Sequence, residues 1–169
     1  KLKGIFGNGF DYEAVRSKRV ELMDNYVEKN GIEVKSGAKE LLSFLKENGY
    51  KVALATATPP QRAERYLKAH DLYKYFDVTV SASMVSVGKP APDIYLKAAE
   101  MLGLSPQNCV ALEDSPNGIK SASSAGCVTV MVPDLDKPSN DIIPLLHGVA
   151  DGLSDVKRIL RELEDCNIQ

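Results

Sequence analysis

Little in this sequence is cysteine-rich, strongly basic or apolar over a long run, and each shortage excludes something. The cysteines number three, Cys109, Cys127 and Cys166, with no Cys-x-x-Cys pair. An odd, scattered set argues against a disulfide frame or a zinc site and fits reduced thiols in a cytoplasmic setting. No apolar run approaches the roughly 18 residues of a membrane span, and no secretory pattern opens the chain. Lys and Arg number 21 against 23 Asp and Glu, a net charge of −2, and no basic block occurs. The positive footprint of a duplex-binding protein is therefore missing. With 44% hydrophobic and 26% charged residues in 169, collagen-like, coiled-coil and disordered chains are excluded too. The expectation is a soluble cytoplasmic protein built on one core, with no nucleic-acid and no membrane partner.

Periodicity supplies the element order. Asp11 is placed to cap a helix over residues 12–29, with Val15, Leu22, Met23 and Tyr26 as its stripe and Asn30-Gly31 as its stop. A second helix, residues 38–48, carries Ala38, Leu41, Leu42 and Leu45 on one face. Then the period changes. Residues 51–56 form a nearly continuous apolar run, as in a strand buried on both faces. A helix follows with Pro59 at its first position, then a strand over 77–80 and a helix from Pro92 that turns Ile94, Tyr95, Ala98, Met101 and Leu102 inward. A strand over 109–112, a helix over 118–125 and a strand over 128–132 come next. Pro133, Pro138 and Pro144 break the following stretch, and a helix over 154–164 closes the chain. Such alternation predicts an α/β fold: a Rossmann-like parallel sheet with helices on both faces.

In an open parallel sheet, ligands bind beyond the carboxyl ends of the strands. The first strand ends in Ala55-Thr56-Ala57-Thr58, where a hydroxyl and free backbone N–H groups could hold an anion; equally, Thr58 could cap the next helix while Thr56 packs. After the second strand comes Gly88-Lys89-Pro90-Ala91-Pro92-Asp93, a stiff loop whose lysine suits phosphate as a compact charge. The alternative is an ordinary surface lysine. The third strand ends in Leu112-Glu113-Asp114-Ser115-Pro116-Asn117-Gly118. Acids seldom follow a buried strand without a partner, and Mg²⁺, bound through oxygens, is one such partner; capping by Asp114 or Ser115 is the other reading. Taken together, the three segments describe a Mg²⁺-assisted phosphoryl-transfer site.

These three segments resemble motifs II, III and IV of the haloacid dehalogenase superfamily, in its β-phosphoglucomutase-like phosphatase branch, and the resemblance runs from about residue 10 to 160. It implies that Thr56 and the amide of Ala57 bind the transferring phosphoryl group. Lys89 would neutralise charge there, Asp114 would ligate Mg²⁺, and Glu113 would hold a metal-bound water. Residues 1–34 would be the remnant of a helical cap that closes over substrate, and residues 35–169 the core domain. The implied activity is hydrolysis of small phosphate monoesters through an aspartyl-phosphate, with a small phosphorylated metabolite as partner. A phosphomutase and a non-catalytic phosphate- or partner-binding module are the alternatives. Pro59-Pro60 replaces the asparagine usual in the mutases, which weighs against isomerisation.

One expected piece is absent. The family nucleophile is the first aspartate of an Asp-x-Asp-Gly segment at the end of the first core strand, and these residues contain no such segment. The chain by itself is therefore expected to be inactive. In the family sheet that strand lies between those ending at Thr56 and Leu112. Its absence predicts two strand edges about 9–10 Å apart instead of about 4.8 Å. Residues 1–6, another chain or a separate fragment would have to fill the gap.

Overall fold

The computed structural model describes residues 2–7 and 9–166; Lys1 and the thiol of Cys166 lie outside them. Two compact units divide at Glu33. The first holds α1 (Leu2–Phe6) and α2 (Tyr12–Asn30). Asp11 caps α2 by accepting the Ala14 N–H at 2.9 Å. The expected stripe exists on this helix but is uncovered: Val15, Leu22, Met23 and Tyr26 are all exposed. Residues 2–6 are helical rather than extended, so the alternative in which they form a residual core strand fails.

The second unit follows the alternating order: α3 (Ala38–Glu47), β1 (Ala53–Thr56), α4 (Pro60–Ala69), β2 (Val78–Ser81), α5 (Asp93–Leu102), β3 (Val110–Glu113), α6 (Pro116–Ala125), β4 (Val128–Met131), β5 (Gly148–Val149) and α7 (Val156–Cys166). β5 is missed by the sequence pattern because two residues carry no periodicity. His147 tethers this edge. Its N–H donates to Thr129 O at 2.8 Å and its Nδ1 accepts the Thr129 N–H at 3.1 Å.

The strands do not make one sheet. β1 pairs in parallel with β2, Ala53 opposite Val78 through Thr56 opposite Ser81. β3 pairs with β4, Val110 opposite Val128 through Glu113 opposite Met131, and β4 with β5. β1 and β3 are thus edge strands of two half-sheets. Alternating residues face two helix layers, as a pleat requires. Leu112 and Val130 pack with Leu41 of α3 and Val156 and Leu160 of α7. On the other face Ala111 packs with Ala122 of α6, and Ala53 and Ala55 with Ile94 and Ala98 of α5. Tyr95 joins both clusters on this second face.

Between β1 and β3 lies a cavity of about 500 Å³. It corrects the expectation that 51–56 is a strand buried on both faces: all four residues of β1 are only half-buried, because one flank opens on that space.

The other end of β1 is fixed by Asp77, whose Oδ2 accepts the Val52 N–H at 2.7 Å while its own N–H donates to Val52 O at 2.8 Å. Lys46 reaches Oδ1 at 2.8 Å and, with the Val52 N–H, holds the Asp77 carboxyl below its ordinary range. A depressed folded-state value means stability that is present at neutral pH and lost as pH falls through that value. Asp77→Asn is expected to lower the unfolding free energy by about 1 kcal/mol at pH 7, a modest figure because the ion pair is water-screened. In urea titrations the gap from the parent chain should shrink as pH drops below about 3.9.

Candidate active site

The turn after β1 is pinned from two sides. The Thr56 hydroxyl oxygen accepts the Thr58 N–H at 3.0 Å, and the buried Ser81 hydroxyl at the end of β2 donates to Thr58 O at 2.9 Å. The Thr56 hydroxyl proton is thereby left to point elsewhere. Ala57 is exposed at the apex. Thr58 does not cap α4: that helix starts one residue later than expected, at Pro60, with Pro59 as a cap lacking a side-chain bond.

Lys89 crosses from the loop before α5 to both half-sheets. Val87 N–H donates to Asp93 Oδ1 at 3.2 Å, fastening the loop to the start of α5, and the Lys89-Pro90 peptide is cis. The ammonium donates to Ala55 O, next to Thr56, at 3.3 Å and to the Glu113 carboxylate at the end of β3. It also lies 3.4 Å from the Tyr95 hydroxyl and 5.0 Å from the centre of its ring. Lys89 is therefore no ordinary surface lysine: its side chain is only 22% exposed.

Glu113 is 7% exposed, a depth at which a carboxylate needs compensation. Lys89 supplies charge, and the Tyr95 hydroxyl donates a hydrogen bond to the same oxygen. Burial first, and then the Glu113 charge, pushes the Tyr95 phenol well above its ordinary range, so Tyr95 remains a donor. The third wall is α6. A Cβ on Gly118 would fall on the Glu113 carboxylate, so only glycine leaves that place open. Sequence reasoning put Tyr95 on an apolar helix face and Gly118 at a helix start. A phenol three residues into the helix after a lysine loop was the only signal for Tyr95.

Asp114, next in the chain, is exposed. Capping of α6 falls to Ser115, whose Oγ accepts the Gly118 N–H at 3.1 Å, which leaves Asp114 without that duty. Ser121 of α6 donates to Ala91 O at 2.6 Å and ties this helix to the lysine loop. Among the described residues no three His, Cys, Asp or Glu side chains gather as a ready-made metal cage. Mg²⁺ does not demand one, since it keeps several waters and is held by one or two carboxylates. The oxygen donors Glu113 and Asp114 fit that pattern.

Thr56, Ala57, Lys89, Glu113 and Asp114 thus occupy one rim, at the carboxyl ends of β1 and β3, because Lys89 contacts the chain neighbour of Thr56 and the chain neighbour of Asp114. The 500 Å³ cavity is a different place. It is lined by Ala53–Ala55 and Val110–Leu112 and runs along the strands instead of beyond them.

The haloacid dehalogenase-like hydrolase family model matches residues 7–126. The chain belongs to that family. Its relatives include the phosphorylated carbohydrates phosphatase of Thermotoga maritima, 40% identical over 124 residues, 73% of this chain and 50% of that one. Hexitol phosphatase B of Escherichia coli is 40% identical over 97 residues, 57% of this chain and 44% of that one. The chain spans about half the length of these relatives. Among solved structures, CbbY from Rhodobacter sphaeroides in complex with phosphate superposes with a TM-score of 0.73 at 26% identity, over 88% of this chain and 67% of that one. The β-phosphoglucomutase of Clostridium difficile, 24% identical, shares the fold with a TM-score of 0.77 over 98% and 74% of the two chains. The family and the Rossmann-like α/β fold expected from sequence are both correct. Among the described residues no helix is long and apolar enough to cross a membrane.

Removing one partner of a buried pair leaves an uncompensated charge. Lys89→Met is expected to destabilise the chain by about 3–5 kcal/mol, and Tyr95→Phe by about 1–2 kcal/mol. Adding Glu113→Gln to Lys89→Met should restore much of the loss, since the charge needing a partner is then gone. Equilibrium urea unfolding of the single and double variants measures both effects.

Proposed function

We propose that the rim is the phosphate- and Mg²⁺-binding part of a phosphatase for small phosphorylated sugars. The observation that carries this reading is Lys89, fixed between the β1 end that bears Thr56 and the β3 end that bears Glu113 and Asp114. The relatives, a phosphorylated carbohydrates phosphatase and a hexitol phosphatase, support that substrate class. Hydrolysis is preferred to isomerisation because Pro59 and Pro60 leave no amide side chain at the start of α4.

In this reading the Thr56 hydroxyl donates to one phosphoryl oxygen and the Ala57 N–H to another, while Lys89 offsets negative charge that grows as nucleophile and phosphate approach. Tyr95 and Gly118 hold Glu113 in place. Asp114 and Glu113 would hold Mg²⁺, directly or through water, and the ion would polarise phosphoryl oxygen and lessen repulsion of an anionic nucleophile. The covalent step needs an aspartate: its oxygen bonds to phosphorus, the bond from phosphorus to the sugar oxygen breaks, and water later cleaves the aspartyl-phosphate. No Asp-x-Asp-Gly aspartate stands among the 169 residues, so this chain binds phosphate without turning it over.

The purified chain is expected to release no phosphate from p-nitrophenyl phosphate above background, with or without Mg²⁺. Metal-dependent turnover abolished by Asp11→Asn would overturn the inactive reading. Calorimetric titration with Mn²⁺ as a Mg²⁺ surrogate should give a single weak site, weakened at least about tenfold by Asp114→Asn. Equal affinity of the variant would remove the metal assignment.

A further inference from the structure

An ammonium carries three N–H donors and no acceptor, and Lys89 has a partner for each of them. The Ala55 carbonyl oxygen at 3.3 Å, the Tyr95 hydroxyl oxygen at 3.4 Å and the Glu113 carboxylate take one apiece. Tyr95 gives its own proton to Glu113, so its oxygen is free to accept from Lys89. In this state Lys89 has no hydrogen left for a phosphoryl oxygen. Glu113 is bound as closely in return: Lys89 and Tyr95 both reach its Oε1, and the residue is 7% exposed. Pulling Lys89 away with nothing in its place leaves a buried charge uncompensated, which is the costly way to break such a pair.

We propose that Lys89 and Glu113 form a latch: Lys89 serves either Glu113 or a phosphoryl oxyanion, and it turns to the oxyanion only when Glu113 has a divalent cation in place of the ammonium. The latch rests on the rim being a phosphate and Mg²⁺ site, and it adds a dependence of one ligand on the other. Glu113, sharing its charge with a cation held also by Asp114, needs Lys89 less. Lys89 then keeps Ala55 O and turns one N–H toward phosphate beside Thr56. Tyr95 remains a donor to Glu113 throughout, so the carboxylate stays at the end of β3 when Lys89 leaves. Asp114 carries an equal charge but takes none of the three Lys89 hydrogens, so it holds cation without masking the lysine. Coupling between two ligands is reciprocal: phosphate tightens the cation by the factor with which the cation tightens phosphate.

The test titrates the 169-residue chain with inorganic phosphate by calorimetry, without metal and with Mg²⁺, and repeats the metal-free titration on Glu113→Gln and Asp114→Asn. The parent chain is expected to bind phosphate at least about tenfold more tightly with Mg²⁺. Glu113→Gln should bind it without metal at least about tenfold more tightly than the parent, because a neutral amide holds an ammonium less firmly. Asp114→Asn should gain less than about threefold, since that exposed charge is screened by water. A second readout needs no phosphate and no folded variant at Glu113: the nitrogen NMR signal of the Lys89 ammonium, identified by its loss in Lys89→Arg, should move in the parent chain when Mg²⁺ alone is added. A signal that Mg²⁺ leaves in place overturns the latch. Equal phosphate affinity with and without Mg²⁺, no tightening in Glu113→Gln, or equal tightening in both variants also overturns it and leaves phosphate binding at the rim standing. No phosphate binding by any form, with Mg²⁺ present, overturns the phosphate site and the latch with it.

Discussion

Lys89 brings one positive charge to a place where a strand-end carbonyl and a buried carboxylate converge, and the arrangement of the rim depends on that meeting. The backbone of β1 and the backbone of β3 make no ladder with each other, so nothing in the hydrogen-bonding of the sheets fixes one carboxyl end against the other. The ammonium does, by bonding to Ala55 O and Glu113 together. Tyr95 adds a second link, its ring packed against both half-sheets and its hydroxyl on the same carboxylate. Lys89 is a structural crosslink between the two half-sheets.

The same geometry explains why one acid of the pair is buried and its neighbour exposed. Successive residues of a strand point to opposite faces. Glu113, the last residue of β3, lies among Lys89, Tyr95 and Gly118, whereas Asp114 has left the strand and precedes the Ser115 cap of α6. One carboxylate is compensated internally and the other faces solvent, a division suited to an inner positioning group and an outer ligand.

Much of this was legible from sequence where the pattern is long. The helices of the core emerged from apolar periodicity within one or two residues, and the strand ends marked the rim because chemistry-bearing residues follow each of them. What was not legible depends on contacts between distant elements. Tyr95 reads as one more apolar helix residue until β3 is placed beside it, and Gly118 as a helix start until the Glu113 carboxylate is found over it. β5 is too short for any period, and the half-burial of β1 depends on the cavity that runs along its flank. The exposed apolar side chains of α2 read as a stripe by their spacing, but the helix is polar on balance and buries none of its residues.

The most direct test of the account is a crystal of the chain soaked with tungstate and Mg²⁺, with the tungsten located from its anomalous signal. Tungstate is a tetrahedral oxyanion, close to phosphate in shape and charge. The expected position is between the Thr56 hydroxyl, the Ala57 amide and the Lys89 ammonium, beside Asp114. A fully occupied tungstate elsewhere on the chain, with that rim empty, would contradict it.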